Sequence, residues 1–266
     1  MNVKRTAPVA PGDFIDCGDG MWNARGSFKI AGILEAGTQA SLIALPSGNF
    51  LWLDSITLEG DALAQAMALT DGGKAVEAIL NLHPFHTLHC KWANRHFPNA
   101  KLYGSARHKA KLPMLDWQDT NVEDPGVAER YADTLDFSMP RGVDYISANE
   151  HVHFTSLLAL HRSAQTIHVD DTFGYRRIGR PLGWLIDETP IFFHPTLSKA
   201  LEKRAGAADN FRAWANEIGT RWAGARRLCA AHSGICDLPE QDFQRRVAKA
   251  LGYVERTLRK HERTFG

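Results

Sequence analysis

Residues 75–89, AVEAILNLHPFHTLH, carry the strongest signal for the fold of this chain. Its first half, residues 75–82, is a mostly apolar run of strand length. Residues 61–70, which precede it, are rich in good helix formers and stop at a glycine pair. The loop after the apolar run carries three histidines, His83, His86 and His89. The order helix, strand and His-rich loop predicts imidazole groups at the end of a buried strand.

The flanking sequence extends this α/β alternation in both directions. Residues 25–54 alternate short β-rich runs with glycine-containing turns, which predicts antiparallel strands that open the fold and end at Asp54. After the histidines, residues 91–97 predict a short helix, and residues 100–103 predict another strand beyond Pro98. A layered α/β or α+β fold is therefore expected.

The second half of the chain predicts a second strand-rich block. Residues 105–142 are polar and poorly periodic, and we interpret them as an insertion or connecting region. Residues 151–160 and 166–171 are β-rich runs joined by a short polar turn, which is typical of a hairpin. The last three predicted elements are a helical region over 197–226, a strand over 227–231 and an amphipathic C-terminal helix within about 238–266. We expect residues 1–266 to form a single domain.

Composition limits the classes of partner. With 266 residues, of which 44% are hydrophobic, the chain can bury a large core. Its 31 basic and 30 acidic residues give no global field for a polyanion, so no nucleic-acid partner is expected. No apolar run is long enough to span a bilayer, and four cysteines are too few for a disulfide framework. We therefore predict a cytoplasmic protein with no membrane partner; its oligomeric state stays open.

Histidines and carboxylates stand at several predicted strand ends. Imidazole and carboxylate groups that converge above a sheet suit zinc, iron or manganese. The candidates are His83, His86, His89, His151, His153, Asp170, Asp171 and His232.

This arrangement resembles the metallo-β-lactamase superfamily. That family has an early β-meander ending in Asp, then a helix, a strand and a His-x-His-x-Asp-His loop, followed by a later His, a bridging Asp and a final His. The resemblance implies a four-layer αββα sandwich. Laid over residues 25–235, it implies that Asp171 is the catalytic bridging carboxylate. The implied metal ligands are His86, His89, His153 (or His151), Asp171 and His232.

Two positions depart from the family motif. Pro84 stands where the family has its first His, and Leu88 where it has Asp. His83 is one residue away and would substitute only if the loop were re-threaded. The remaining sets, His86–His153–Asp171 and His89–His232–Asp171, share one carboxylate, so the resemblance implies one metal ion, zinc or alternatively iron or manganese, or no metal at all.

The same departures leave two functions open. The first is a divergent metallo-hydrolase that cleaves a small ester, lactone, thioester or phosphoester with one metal ion, which would lower the pKa of water and polarise the substrate. The second is a non-catalytic or repurposed member that binds a small molecule or a protein without metal. Segments such as Phe97-Pro-Asn-Ala-Lys-Leu-Tyr103 resemble relatives of this fold that have degenerate metal motifs, and they support the fold more than the function.

Overall fold

The computed structural model describes residues 9–30, 33–175, 190–238 and 242–266. Its strands are β1 (Phe14–Gly18), β2 (Met21–Gly26), β3 (Lys29–Ile30), β4 (Leu34–Glu35), β5 (Thr38–Ala44), β6 (Phe50–Leu53), β7 (Val76–Leu80), β8 (Lys101–Tyr103), β9 (Leu135–Ser138), β10 (Leu158–His161), β11 (Thr166–Val169), β12 (Phe173–Tyr175), β13 (Ile191–Phe193), β14 (Arg227–Ala230) and β15 (Gly234–Asp237). Its helices are α1 (Gly60–Leu69), α2 (Cys90–His96), α3 (Ala106–Lys111), α4 (Pro125–Arg130), α5 (Leu197–Ala200), α6 (Ala207–Arg221) and α7 (Asp242–Phe265). No helix within these residues combines the length and the apolar character needed to cross a membrane.

The first sheet contains the strand that delivers the histidines. Its strands lie in the order β1-β2-β5-β6-β7-β8. The strands β1, β2, β5 and β6 pair antiparallel, whereas β7 pairs parallel with both β6 and β8. A parallel neighbour requires a crossover connection, and α1 supplies it between β6 and β7. The ends of β6 and β7 therefore lie side by side at one edge of the sheet.

The second sheet brings the carboxylates to the same end of the molecule. Its strands lie in the order β15-β14-β11-β10-β9, and β11 pairs parallel with β14. The predicted hairpin is confirmed, because β10 and β11 pair antiparallel across a short turn. Asp170 follows β11 and His232 follows β14. Since parallel strands end at the same edge, these two chain ends are neighbours.

Three apolar layers hold the elements together. One lies between α1, α2 and the first sheet and contains Trp52 and Phe97. A second lies between the two sheets and joins Leu51 to Ile235. A third lies between the second sheet and the helices α6 and α7. The order helix, sheet, sheet, helix is the predicted αββα sandwich, with the burial of apolar side chains as its main stabilising term.

Three segments differ from the sequence prediction. Of residues 151–160, only the end is strand, because the preceding backbone bonds elsewhere: the Leu157 N–H donates to Leu82 O at 3.0 Å. The region 105–142 contains α3 and α4 and ends in β9, which pairs with β10 as an edge strand of the second sheet. The helical region 197–226 is interrupted between α5 and α6, where Gly206 adopts a φ of 75°.

Candidate metal centre

Asp54 fixes the start of the His-rich loop. It follows β6 with a φ of 60°, a left-handed conformation that Asp tolerates better than most residues. Its Oδ1 accepts the backbone N–H of Leu82 at 2.7 Å and that of His83 at 3.3 Å. These bonds hold the chain that leaves β7 against the end of β6, so the position of His83 is set by the sheet.

Asp171 lies at the centre of a group of three imidazoles. The distance from its Oδ2 is 3.1 Å to His83 Nε2 and 3.7 Å to His86 Nε2. Its Oδ1 lies 3.0 Å from His232 Nε2. Ligand atoms of His83, His86 and Asp171 all lie within 4.8 Å of one another. We call His83, His86, Asp171 and His232 the outer group.

The outer group has a buried floor and an accessible rim. His83 and Asp171 are buried, whereas the side chains of His86 and His232 are 21% and 30% exposed. The rings of His83 and His86 stack with centroids 4.1 Å apart, and His232 stands edge-on to His86 at 5.8 Å. A molecule from solvent therefore reaches this group past His86 and His232.

The hydrogen bonds of His232 provide a test of whether the outer group fits a cation. Its Nδ1 lies 2.7 Å from Gly37 O. A carbonyl oxygen can only accept, so Nδ1 carries a proton, and in the neutral ring the lone pair of Nε2 then faces the Asp171 carboxylate. Two electron-rich atoms at this distance require a proton or a metal ion between them. A backbone carbonyl on the far nitrogen of a histidine is also the usual support of a metal ligand.

His83 supports the same conclusion by a different geometry. Its Nε2 is buried and lies 3.1 Å from Asp171 Oδ2, yet no hydrogen bond of good geometry joins it to any of the described residues. Two ligands that converge on one ion adopt this relationship. Imidazole and carboxylate groups are the donors that Zn²⁺ prefers outside thiolate sites, so the residues present fit a divalent ion.

Burial and the charges of neighbouring members shift the pKa values of the outer group. Burial, together with the neighbouring His86, lowers the pKa of His83 to about 4. Burial also opposes the charged form of His86, but the Asp170 and Asp171 carboxylates outweigh it and raise the pKa of His86. Burial works against the Asp171 carboxylate, yet the surrounding imidazoles lower its pKa. Asp171 is therefore an anion at neutral pH.

A second group of titratable side chains lies beneath the first. Ligand atoms of Asp54, His168 and Asp170 lie within 4.8 Å of one another, and all three residues are buried. His168 Nε2 lies 2.8 Å from Asp54 Oδ2, and its Nδ1 lies 2.9 Å from Ser41 Oγ. Asp170 Oδ2 lies 2.9 Å from His86 Nδ1, which connects this set to the outer group. We call Asp54, His168 and Asp170 the inner group.

Of the five metal ligands implied by the sequence, the structure brings together His86, Asp171 and His232. His89 is separate: it precedes α2, and its Nδ1 lies 2.9 Å from Thr57 Oγ1. His153 lies in a loop near the outer group, with its Nε2 2.7 Å from Glu150 O and its ring stacked on Phe85 at 4.6 Å. His151 is exposed.

The structure places His83 in the outer group and His168 in the inner group, and neither is among the five metal ligands that the resemblance implies. His83 comes directly after the apolar run of β7. If the motif is aligned from the end of this strand and not from His89, His83 takes the first ligand position. His168 and Asp170 are two residues apart on and just beyond β11, so strand alternation places them on one face. Leu88, at the family's Asp position, is 72% exposed and belongs to neither group.

Comparison with known proteins gives the fold. No protein-family model matches the chain, and no curated protein is similar to it at a significant level. A solved metallo-β-lactamase from Erythrobacter litoralis is similar over 90% of this chain and 96% of its own, with a TM-score of 0.58 and 14% identity. The metallo-β-lactamase FIM-1 from Pseudomonas aeruginosa, solved in a mono-zinc form, covers 92% of this chain and 96% of its own at a TM-score of 0.55 and 11% identity.

A metallo-β-lactamase from Hirschia baltica is similar to the same extent, with a TM-score of 0.54 and 11% identity over 91% of this chain and 98% of its own. At identities this low, structural similarity shows a shared fold but does not show a shared activity. The chain has the metallo-β-lactamase fold, which confirms the prediction from the order of its motifs, and its metal motif departs from the family pattern at Pro84 and Leu88.

Proposed function

We propose that this protein is a metal-dependent hydrolase in which the outer group binds one divalent ion, zinc or alternatively iron or manganese, and acts on a small ester, lactone, thioester or phosphoester. The observation that carries the proposal is the convergence of His83, His86 and His232 on the Asp171 carboxylate. His83 takes the place that the sequence motif assigned to His89 or His153. The mono-zinc form of a similar structure supports a single ion in a site of this fold.

Each residue of the outer group has a separate task. Asp171 contributes a buried negative charge that holds the cation and orients the rings of His83 and His232. Gly37 O fixes the His232 ring with Nε2 toward the centre. The Phe85 N–H donates to His83 Nδ1 at 3.2 Å. If Nε2 bound an ion, the ring proton would move to Nδ1, and this long hydrogen bond would be lost. A divalent ion, when bound, supplies a Lewis acid and lowers the pKa of water.

The surroundings of the outer group support a small substrate that enters from solvent. His194 lies close enough to Asp171, His232 and His153 to feel their charges, and burial lowers its pKa, so its ring is neutral. His194 Nδ1 lies 2.7 Å from Thr196 Oγ1, and the Thr196 N–H lies 3.3 Å from the same nitrogen, so Thr196 holds the ring in place. A neutral polar ring near the rim suits a substrate with a carbonyl or phosphoryl group. Four free thiols fit a reducing compartment, which supports a cytoplasmic location.

A second candidate is a repurposed protein that binds a small molecule or a protein without metal. Exposed Leu88 favours it, because an apolar side chain on the His-rich loop replaces the carboxylate of the family motif and presents a contact for a partner. The two candidates differ in their requirement for metal.

Elemental analysis of protein expressed with added zinc, iron or manganese tests the proposal. We expect about one equivalent in the outer group, and its loss in both His83→Ala and His86→Ala. His89→Ala is the matched control: it removes an imidazole from the same loop whose ring contacts Thr57, so it should retain the ion. Hydrolysis of a panel of aryl esters, lactones, thioesters and phosphoesters should disappear with the metal and return with it.

Less than about a tenth of an equivalent in the wild-type protein would contradict the hydrolase and favour the metal-free candidate. Loss of metal in His89→Ala together with retention in His83→Ala would show that the ligands follow the sequence motif instead of the geometry described above. Circular dichroism of each variant, recorded without metal, checks that the fold is intact.

A further inference from the structure

The inner group contains more buried negative charge than its hydrogen bonds explain. Asp54 and Asp170 are both buried, and a carboxylate oxygen of each lies within 4.8 Å of the other. Neighbouring buried carboxylates repel each other strongly unless a cation lies near them. The buried guanidinium of Arg25 is close, but its hydrogen bonds go to neutral acceptors, which are Asn23 Oδ1, Gln39 Oε1 and the carbonyl oxygens of Ala230 and Ala231.

Asp170 has unused ligand capacity. Neither of its oxygens has a hydrogen-bond partner among the described residues, although the side chain is only 1% exposed. His86 Nδ1 lies at ion-pair distance, 2.9 Å from Oδ2, without a hydrogen bond of good geometry between the two atoms. Burial of a carboxylate without a hydrogen-bond donor is unfavourable, because the charge loses its hydration and nothing replaces it. A buried carboxylate without a hydrogen bond, with one ligand atom each of Asp54 and His168 within 4.8 Å, is the geometry of a cation site.

His168 can serve the same cation. In the present hydrogen-bond pattern Nε2 donates to Asp54 Oδ2, and Ser41 Oγ lies 2.9 Å from Nδ1. A serine hydroxyl can donate or accept, so the proton can move to Nδ1, and Nε2 then presents its lone pair to an ion without loss of the Ser41 bond. The pair of atoms Asp54 Oδ2 and His168 Nε2, 2.8 Å apart, is suitably spaced for two ligands of one ion.

From this geometry we infer a second cation site, formed by Asp54, His168 and Asp170 beneath the outer group. The two ligand sets implied by the sequence share Asp171, so a second ion would have no carboxylate of its own. In the structure, Asp54 and Asp170 supply two further carboxylates. Two carboxylates and one imidazole form an oxygen-rich set, in contrast to the imidazole-rich outer group. Hard oxygen donors favour Mn²⁺ or Mg²⁺, whereas imidazoles favour Zn²⁺, so the two sites should differ in metal preference. The inner site does not depend on the proposed hydrolysis.

Metal counting with Mn²⁺ and Zn²⁺ tests this site without an activity assay. Wild-type protein dialysed against both ions should hold about two equivalents of metal, with Mn²⁺ seen in the bound state by electron paramagnetic resonance. Asp170→Asn keeps the shape of the side chain but removes its charge, and it should lose the Mn²⁺ while it keeps the Zn²⁺. His83→Ala should do the reverse. His168→Gln is the second inner variant, should Asp170→Asn fail to fold.

The outcomes separate the two proposals. A single ion that His83→Ala removes and both inner variants retain would overturn the inner site and leave the proposed function intact. A single ion that the inner variants remove and His83→Ala retains would support the inner site and contradict the proposed function. Weaker binding of Zn²⁺ in Asp170→Asn, with no Mn²⁺ in the wild-type protein, would show that Asp170 only orients His86 and would overturn the inference.

Discussion

The layer between the two sheets has an apolar half and a polar half, and the same strands build both. The paired strands β2 and β5 face this layer with the apolar pair Met21–Ile43, followed by the polar pairs Asn23–Ser41 and Arg25–Gln39. All of these residues are buried. Away from the His-rich loop the layer is a hydrophobic core, and beneath the loop it is a connected set of hydrogen bonds.

In the polar half, the fold buries hydrogen-bonded side chains in place of apolar ones. A fully buried leucine or isoleucine contributes about 1.5–3 kcal/mol, whereas a hydrogen-bonded polar pair contributes only about 0.5–1.5 kcal/mol. Polar residues across a sandwich interior are therefore a poor way to stabilise it. Their position next to the outer group indicates that they support that group, and substitutions in the two halves should have separable effects.

The largest effect should come from the centre of the polar end. Asp171→Ala removes the only carboxylate in contact with all of His83, His86 and His232 within the described residues. Loss of a residue that only supports a metal ligand lowers metal affinity by about 10- to 100-fold. Because Asp171 is itself a proposed ligand, we expect Zn²⁺ affinity to fall by more than about 100-fold. Competition with a coloured chelator measures it. The exposed Asp133→Ala is the control, and equal affinities for the two variants would refute the assignment.

The apolar half should respond in stability and not in metal binding. Leu51→Ala opens a cavity between the sheets and should lower the free energy of unfolding by about 2–5 kcal/mol. Urea unfolding of the metal-free protein measures this change, and elemental analysis should find the same number of ions as in the wild type. Loss of metal from folded Leu51→Ala would show that the two halves are not independent.

The polar connection between the two sheets should have an intermediate effect. Gln39 Nε2 donates to Val169 O at 2.8 Å and to Cys229 O at 3.0 Å, and its Oε1 accepts from Arg25 at 2.9 Å. Gln39→Leu keeps the volume but removes these three buried hydrogen bonds, although Val169 O and Arg25 keep other partners, and it should cost about 1–3 kcal/mol of unfolding free energy. A variant as stable as the wild type in urea would mean that the polar pairs do not join the sheets.

The smallest effect should be at Leu88. Because this side chain is mostly exposed, Leu88→Asp restores the family residue at little structural cost, and we expect the free energy of unfolding to change by less than about 0.5 kcal/mol. The number of bound ions should also stay the same. An extra equivalent of metal in Leu88→Asp would show that this position faces the outer group.

Much of the fold was readable from the sequence because it depends on local signals. The apolar run at residues 76–80, the helix before it and the hairpin at 158–169 are each set by their own residues. Asp54, Asp171 and His232 could be assigned because they follow predicted strands in the order of the resembled family.

The membership of the site was harder to read, since it depends on contacts between distant segments. Strand alternation shows that His168 and Asp170 share a face but not that Asp54 lies opposite them, 114 residues from His168 along the chain. His83 was set aside because the family motif was aligned from its last histidine, and the backbone bonds from Asp54 that fix its position carry no sequence signature. The one-domain organisation stays a prediction.

Anomalous diffraction from crystals of the zinc-bound protein, collected on either side of the zinc edge, would locate the ion among the candidate ligands. We expect a zinc peak enclosed by His83, His86, Asp171 and His232, with the peak in contact with His83 Nε2 and His232 Nε2. A peak that is ligated by His89 or His153 in place of His83, or the absence of any peak between these four residues in the zinc-bound protein, would contradict this assignment.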